Sequence, residues 1–387
     1  MRVFVCDPGV TSLIGHHYTL NRNIGDALRR RGVDTRILVD QTLDPVVVHA
    51  LGATPYFTPV PFDLANLDPL CGWMENFLDC AVSQHRDLER LDADRDDVLI
   101  FHSGCHRQLL AVADWLRDRA EAERPTVMML FGANGAISRT GEIQSSVALC
   151  LRYAGRRLPK DCQALTLAAQ DEAPARPHRF LFNHPVEVVP CPYTATPRRR
   201  QHPLVIGFLG HQRPDKGARL LLEIIRGLKS GPNRDLSILV QDSGTENWAD
   251  GTMTMLSAAG AELQHQVSYE EWPDLVDRID LLVLPYDPNS GGANHSTVAT
   301  EALCHGIPAV VPAATGTEDF MHRWGAGFDS FENWNPDAIL SAIQQSLAHY
   351  PDRATLSYEA ALRWQDSQGP DALVTVLLER HARRGPA

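Results

Sequence analysis

Short apolar runs alternate along this chain with longer stretches in which apolar residues recur every three or four positions. The short runs are typical of strands buried on both faces of a parallel sheet, and the longer stretches of amphipathic helices. The first half is therefore predicted to contain the strands Arg2–Cys6, Thr35–Val39, Val98–His102, Thr126–Phe131, Ala164–Ala169 and Val186–Val189, with helices at Tyr18–Arg31, Arg107–Arg119 and Ser145–Tyr153. The pattern weakens between Asp40 and Asp97, where we expect loops and helices.

The same alternation restarts after a proline- and arginine-rich linker, Pro190–Pro203. The second half is predicted to contain the strands Val205–Leu209, Leu236–Val240, Leu281–Pro285 and Ala309–Val311, and the helices Ala218–Leu228, Thr252–Ala259, Thr297–His305, Pro336–His349 and Tyr358–Arg383. Strands that alternate with helices in this way indicate a doubly wound α/β sheet.

The length of 387 residues exceeds what one hydrophobic core usually supports. We therefore predict an α/β protein with two Rossmann-like, doubly wound domains. Their predicted bounds are 1–195 for an N-terminal domain and 203–357 for a C-terminal domain, with 358–387 as a helix that returns to the first domain.

The net charge of −12 argues against nucleic acid as a partner, because phosphate binding needs concentrated basic residues. The basic runs Arg29–Arg31 and Arg198–Arg200 are interpreted as a helix end and a solvated linker, although a local basic face for peripheral contact with anionic lipid stays open. The eight cysteines form no Cys-x-x-Cys pair, and no apolar stretch reaches 18 residues. We expect a cytoplasmic protein without a membrane span.

Two loops join a strand to a helix and carry glycine near a helix N-terminus, where backbone N–H groups and the helix dipole favour a phosphate. The first contains Gly15, and the second runs from Gly207 to Gly217 and contains Lys216. Neither is the Gly-x-Gly-x-x-Gly fingerprint, which weakens a dehydrogenase interpretation. The alternatives are a tight turn at Gly15 and a solvated surface position for Lys216.

A third loop, Leu284–Ser296, is rich in glycine and hydroxyl groups and leads into a further helix. Ser296 and Thr297 are placed either to bind phosphate or only to cap the helix, and Glu301 is placed to accept hydrogen bonds from a ribose.

These motifs resemble those of the retaining GT-B glycosyltransferases, that is, glycosyltransferases of the group 1 or family 4-like type. The resemblance rests on Gly210 with Lys216-Gly217, on Glu301-Ala302 followed by Gly306-Ile307-Pro308, and on the run Ile279–Pro285. The chain departs from the family pattern at two positions. The family has an arginine at the position of His211, and Arg213 would replace it here. The family also has the first glutamate of a Glu-x7-Glu pair at the position of Ala293.

The resemblance implies a cleft between the two domains and a set of site residues. The implied donor-binding residues are Gly15, Arg213, Lys216, Tyr269, Gly292, Ser296, Thr297 and Glu301. His102 is implied as the group nearest the reacting sugar, with His16, His106 and Asn134 as further cleft or acceptor residues. No Asp-x-Asp element stands where a metal would bridge a diphosphate, so neither a metal nor a cofactor is expected.

The function so implied is transfer of a sugar from a nucleoside-diphosphate sugar to an unidentified acceptor, with retention and without a metal. The alternatives are a nucleotide-sugar epimerase on the same fold and a non-catalytic nucleotide- or sugar-binding protein, the latter suggested by Ala293.

Overall fold

The chain divides into two units, each built on its own parallel sheet. The computed structural model describes residues 1–59, 72–132, 146–159, 162–182, 184–203, 205–230, 235–242, 251–289 and 295–385. Unit 1 consists of Met1–Pro192 and Gln368–Ala387, and unit 2 of Tyr193–Ser367. The division between Pro192 and Tyr193 falls within the predicted linker Pro190–Pro203, and the part of the C-terminus that belongs to unit 1 begins at Gln368 and not at residue 358.

The sheet of unit 1 has the strand order β3-β2-β1-β4-β5-β6-β7, with every neighbouring pair parallel. Its strands are β1 (Arg2–Asp7), β2 (Asp34–Asp40), β3 (Ala53–Phe57), β4 (Val98–Phe101), β5 (Thr126–Leu130), β6 (Leu165–Ala169) and β7 (Val186–Val188). The helices are α1 (His16–Arg30), α2 (Pro45–Leu51), α3 (Gly72–Arg90), α4 (His106–Asp118), α5 (Ser146–Arg157), α6 (Glu172–Phe182) and, from the C-terminus, α14 (Pro370–Arg383).

Strand β3 corrects the prediction of loops and helices alone between Asp40 and Asp97. Its sequence, Ala-Thr-Pro-Tyr-Phe, contains Pro55, which cannot donate a ladder hydrogen bond. The strand tolerates this proline because it lies at the edge of the sheet and pairs only with β2. An edge strand with a proline lacks the continuous apolar run that identified the others.

The sheet of unit 2 has the order β10-β9-β8-β11-β12-β13 and is also parallel throughout. Its strands are β8 (Val205–Phe208), β9 (Ser237–Asp242), β10 (Ala261–His265), β11 (Leu281–Val283), β12 (Ala309–Pro312) and β13 (Phe328–Phe331). The helices are α7 (Leu221–Ser230), α8 (Thr252–Ala258), α9 (Trp272–Asp277), α10 (Thr297–Cys304), α11 (Gly316–Trp324), α12 (Pro336–Ala348) and α13 (Tyr350–Ser367). Strands β10 and β13, at the two edges, were not predicted.

The predicted single helix Tyr358–Arg383 is wrong, because two helices occupy this stretch. Helix α13 ends at Ser367, and α14 begins at Pro370 after Gly369, whose φ of 103° lies in the left-handed region. Proline lacks the N–H that a continuing helix needs, and its ring clashes with the preceding turn. The second helix then packs in unit 1, where Arg30 Nη2 lies 2.8 Å from Asp371 Oδ2.

Each sheet is covered by helices over an apolar core. In unit 1 the buried side chains include Phe4, Phe101 and Trp115, and in unit 2 they include Phe208, Ile224 and Val283. Strands buried on both faces require apolar side chains at successive positions, as the short runs predicted. Within the described ranges, the model contains no helix that is both long enough and apolar enough to cross a bilayer.

Candidate functional site

The sheet of unit 2 reverses its strand order between β8 and β11, which are neighbours in the middle of the sheet. In open α/β sheets ligands bind outside the carboxyl ends of the strands at such a reversal, because the two flanking loops turn away from each other and leave a crevice. The loops concerned are those that follow β8 and β11. They carry the glycine, lysine and serine positions singled out in the sequence.

Lys216 is held at this reversal by a short 3-10 turn, Pro214–Lys216, and by the glycine that follows it. Gly217 has a φ of 82°, and a Cβ there would lie 2.1 Å from the carbonyl oxygen of Pro285. Only glycine permits this close approach between the two loops. The backbone N–H of Asp287 also donates to the carbonyl oxygen of Asp215 at 2.9 Å, which ties the loops together.

The ammonium group of Lys216 is half-buried over an aromatic ring. Its Nζ lies 5.0 Å from the centre of the Tyr286 ring. Burial, with a smaller effect from the positive Arg213, lowers the pKa of Lys216 from 10.5 to about 8, although Asp215 acts in the opposite direction. The surroundings of Lys216 therefore destabilise its charged form, and an anion bound nearby would stabilise that form.

Arg213 is exposed and paired with Asp215, two residues away. Its Nη2 lies 2.8 Å from Asp215 Oδ2 and its Nε 3.1 Å from Oδ1. The predicted role of Arg213 as a second cation for the donor therefore requires it to leave, or share, this local pair.

Helix α10 begins after Ser296, which, like Lys216, lies near the side chain of Tyr286. The Ser296 side chain makes no capping hydrogen bond, and the hydroxyl lies 3.4 Å from the Tyr286 hydroxyl. The backbone N–H of Ser296 instead donates to Thr317 Oγ1 at 3.1 Å. The alternative that Ser296 only caps the helix with its side chain is therefore wrong, and Thr297 occupies the first helical position.

Glu301 lies further along α10, and its side chain is half-buried. Burial raises the pKa of Glu301 from 4.5 to about 8, against a smaller lowering effect of the Trp272 indole. The carboxyl group is therefore protonated at neutral pH and can both donate and accept a hydrogen bond, as a diol requires. Tyr269 is half-buried and follows the edge strand β10, three residues before Trp272.

The sheet of unit 1 has the same reversal, between β1 and β4. Asp7 is the last residue of β1, and His102 comes directly after β4. Because the carboxyl ends of parallel strands meet at one edge of the sheet, these two side chains come together: His102 Nε2 lies 3.3 Å from Asp7 Oδ2. Both are buried, with 0% and 2% of the side chain exposed.

Asp7 is the centre of a buried polar cluster. It accepts hydrogen bonds from the His17 ring at 2.9 Å, from Asn21 Nδ2 at 2.6 Å and from the Gly9 backbone at 3.0 Å. Burial would raise the pKa of this carboxyl group, but His102 and His17 hold it far below its usual range. For His17, burial would lower the pKa, yet the charge of Asp7 and its hydrogen bond raise it above 6.5. The cluster thus contains an ionised carboxylate with imidazoles on two sides.

Comparison with known proteins adds a similarity to a family over part of the chain, and a fold for the whole of it. The model of the family described as glycosyl transferases group 1 matches residues 195–363. Over this range, unit 2 is therefore similar to the glycosyl transferases of group 1. It contains Lys216, Ser296 and Glu301, the residues that the resemblance assigned to the donor.

Solved structures similar to the whole chain show that its fold is the GT-B fold of two Rossmann-like domains. HepE from Anabaena, solved in complex with UDP, has a TM-score of 0.64 at 13% identity, covering 98% of this chain and 99% of that one. Sucrose-phosphate synthase from Thermosynechococcus elongatus has a TM-score of 0.67 at 13% identity, with both chains fully covered (100% each). WaaG, a glycosyltransferase involved in lipopolysaccharide biosynthesis, has a TM-score of 0.57 at 13% identity, again with 100% of each chain covered.

Gly292 and Asn134, which were predicted as site residues, and Ala293 fall outside the described residues. The described residues Gly15 and His106 make none of the contacts given above for the two clusters. Gly15 precedes α1 with a φ of 88° and is exposed. His106 stacks on Phe77 at 5.5 Å, and burial, with a smaller effect of Arg107, lowers the pKa of His106 to about 4.

Asp7 and His17 were not predicted as site residues, whereas the neighbouring His16 was. His16 is exposed, and its ring lies 4.2 Å from that of His17, whose Nδ1 lies 2.9 Å from Asp7 Oδ1. Adjacent residues on a helix point about 100° apart, so the choice depends on where the helix begins. A carboxylate at the end of the first strand, with a histidine in the next helix, was the available signal.

Within the described part of the chain, no group of three or more metal-ligating side chains is placed to bind an ion.

Proposed function

We propose that this protein transfers a sugar from a nucleoside-diphosphate sugar to an acceptor hydroxyl, with retention of configuration and without a metal ion. The observation that carries the proposal is Lys216, a cation held half-buried over Tyr286 at the strand reversal of unit 2. An enzyme tolerates such an unfavourable charge where a bound anion compensates it.

In this proposal Lys216 binds the diphosphate together with the N-terminus of α10. The ammonium is a compact charge that contacts phosphate oxygens, and the first helical N–H groups after Ser296 add donors with the favourable end of the helix dipole. Glu301 accepts a hydrogen bond from one ribose hydroxyl and, being protonated, donates one to the other. Arg213 approaches the diphosphate by giving up part of its pair with Asp215.

The reaction needs charge stabilisation at two places. The anomeric carbon becomes positive as its bond to the diphosphate oxygen breaks, and the departing diphosphate gains negative charge. Lys216 and the α10 N-terminus stabilise the leaving group, the task that a bound metal performs in other enzymes. Retention is proposed on the resemblance to retaining glycosyltransferases of group 1.

UDP-sugars are the first donors to test. HepE was solved with UDP and with UDP-glucose, and this supports uridine before guanosine or deoxythymidine as the base. We further propose that the enzyme works in the cytoplasm on an acceptor bound by unit 1, and that nucleic acid is not a partner, because the net charge is −12.

The proposal is tested by nucleotide binding. Wild type, Lys216→Ala and the control Lys229→Ala are titrated calorimetrically, with chelator present, against the diphosphates of uridine, guanosine, deoxythymidine and adenosine. Lys229 is a matched control because it lies in the same unit at the end of α7, bonded to the carbonyl oxygen of Leu236.

We expect one nucleoside diphosphate to bind wild type and Lys229→Ala, and Lys216→Ala to bind it at least tenfold more weakly. At a hundredfold excess over the dissociation constant, the ligand adds about 2.7 kcal/mol to the free energy of unfolding. The melting midpoint of wild type should therefore rise by several degrees. Binding that is unaffected by Lys216→Ala, or no binding of any diphosphate, contradicts the proposal.

A further inference from the structure

Gln241 is a buried polar residue at the carboxyl end of β9, in unit 2. It comes one position after the last residue pair of β8 and β9, which joins Phe208 to Val240. The residue is 5% exposed. Because β8 is one of the two strands at which the sheet reverses its order, Gln241 lies beside the crevice in which a ligand is expected.

The side-chain oxygen of Gln241 is already engaged within the protein. The backbone N–H of Gly210 donates to Oε1 at 2.6 Å. An N–H group can only donate, so its partner must be the oxygen of the amide, and the NH2 group is turned away from Gly210. This hydrogen bond therefore determines which way the amide faces.

The NH2 group of Gln241 has no hydrogen-bond partner among the described residues. Nearly all buried polar groups in proteins are paired, because an unpaired donor has lost water without gaining an acceptor. A bound ligand with oxygen acceptors would satisfy this donor. The free NH2 group is therefore a candidate ligand contact.

The loop that orients this amide is itself held by side-chain hydrogen bonds. Gln212, which is 4% exposed, donates from Nε2 to the carbonyl oxygens of Phe208 at 3.1 Å and Gly210 at 3.2 Å. Gly210 has a φ of 95°, a conformation that glycine adopts without strain. The Gln241 amide is thus oriented before a ligand arrives, which lowers the entropy lost on binding.

Gly210 also connects Gln241 to the proposed diphosphate site. A Cβ at Gly210 would lie 3.0 Å from Cγ2 of Val298 and 3.7 Å from the hydroxyl of Tyr286. Val298 belongs to the first turn of α10, and the Tyr286 ring lies next to the ammonium of Lys216. Gly210 therefore contacts Gln241 through its N–H and faces the first turn of α10 through its Cα.

We propose that the NH2 group of Gln241 donates a hydrogen bond to a phosphate oxygen of the nucleotide sugar, beside Lys216 and the N-terminus of α10. This inference rests on the proposed function and deepens it. A diphosphate offers oxygen acceptors, which suit an amide that is turned to donate. The hydrogen bond from Gly210 polarises the amide and makes its NH2 group a stronger donor.

The alternative is that Gln241 only positions the Gly210 loop. Gln241→Glu separates the two roles, because a carboxylate still accepts the hydrogen bond from Gly210 but has no NH2 group to donate. Gln264→Glu is the control for the added charge, since Gln264 pairs in register with Gln241 on the neighbouring strand β10. The contact of Gln264 Oε1 with Arg278 Nη1, at 2.9 Å, is one that glutamate keeps.

The experiment measures binding by calorimetry at pH 8, with chelator present. The ligands are UDP, GDP, dTDP and ADP and the four corresponding nucleosides, and the proteins are wild type, Gln241→Glu and Gln264→Glu. We expect Gln241→Glu to bind the diphosphate that wild type prefers at least tenfold more weakly, the size of one hydrogen bond to a charged group. Gln264→Glu should bind it within about threefold of wild type. The matching nucleoside has no phosphate, so Gln241→Glu should bind it within about twofold of wild type.

A second measurement decides if Gln241→Glu does not fold, as judged by circular dichroism. Wild type is labelled with 15N in its glutamine side chains, and the NH2 signals of Gln241 are assigned by their absence in Gln241→Met. One of its two NH2 protons should move downfield when the diphosphate is added and stay in place when the nucleoside is added. Signals that do not move with the diphosphate overturn the inference.

Three results would overturn the role of Gln241 and leave the proposed function in place. If Gln241→Glu binds the diphosphate within about threefold of wild type, Gln241 only positions Gly210. If Gln264→Glu weakens binding as much, the effect is one of charge and not of a hydrogen bond. If the nucleoside is weakened as much as the diphosphate, the amide contacts the ribose or the base. If wild type binds none of the four diphosphates, the proposed function itself fails, and this role fails with it.

Discussion

Replacing Lys216 with methionine should stabilise unit 2 at neutral pH while removing nucleotide binding. Methionine has a similar length and no charge, so it relieves the cost of holding the ammonium half-buried. The fall of the Lys216 pKa from 10.5 to about 8 corresponds to about 3 kcal/mol at about 1.4 kcal/mol per pH unit. The cation–π contact with Tyr286 offsets about 1 kcal/mol of this. A net gain of about 2 kcal/mol remains for Lys216→Met.

The sign of the pH dependence follows from proton binding. Between pH 8 and 10.5 the unfolded chain keeps the Lys216 proton and the folded protein releases it. The free energy of unfolding of wild type therefore rises with pH in this range. The advantage of Lys216→Met should be largest at pH 7 and smaller by about 1 kcal/mol at pH 9.

Urea unfolding, followed by circular dichroism at pH 7 and pH 9, measures both quantities for wild type, Lys216→Met and Lys229→Met. The two units can unfold separately, so the transition of unit 2 is fitted on its own. If Lys216→Met is no more stable than wild type at pH 7, or if its advantage is the same at both pH values, the ammonium is not held at a cost and the reasoning is wrong.

Three further predictions concern single contacts. Gly217→Ala should lower the free energy of unfolding by more than about 2 kcal/mol, because its Cβ would lie 2.1 Å from the carbonyl oxygen of Pro285. Gly251→Ala should lower it by about 1 kcal/mol, because Gly251 also has a positive φ, 78°, but no described atom lies within 4 Å of the added Cβ. Equal losses for the two variants in urea unfolding would contradict this. Glu301→Gln should equal wild type in stability at about pH 4 and exceed it increasingly up to pH 8, since the folded protein holds a proton that the unfolded chain releases. A difference in the free energy of unfolding that does not change with pH would rule out the protonated acid. Asp7→Asn should be less stable than wild type by a larger margin at pH 6 than at pH 9, because the stability that the raised pKa of His17 provides is present below 6.5 and lost as pH rises through the folded pKa; the opposite trend would show that the pair is not ionic.

The parts of the fold that sequence predicted are those in which burial is complete. Strands β1, β4 and β5 are apolar at successive positions and stand out in the sequence. Edge strands such as β3 and β10 are half-exposed, and their mixed composition resembles that of loops. Their pairing depends on tertiary neighbours that a local pattern does not contain.

The candidate site was predictable only where a motif is local. Gly210, Lys216 and Gly217 lie in one loop, and their spacing identified the donor region. The Tyr286 ring under Lys216 comes from a loop seventy residues away in sequence, brought near because β8 and β11 are neighbours. Similarly, His17 differs from His16 only in the direction in which α1 points it, which the first turn of the helix determines.

The measurement that tests the central claim most directly is the release of nucleoside diphosphate from a panel of sugar nucleotides, starting with UDP-glucose, in the presence of a metal chelator. Wild type and Lys216→Met are compared, with an acceptor-containing cell extract added or left out. We expect wild type to release nucleoside diphosphate from one donor, and faster with extract, and Lys216→Met to release none above background. The proposed function would be contradicted if wild type consumed none of the donors, or if Lys216→Met consumed a donor as fast as wild type.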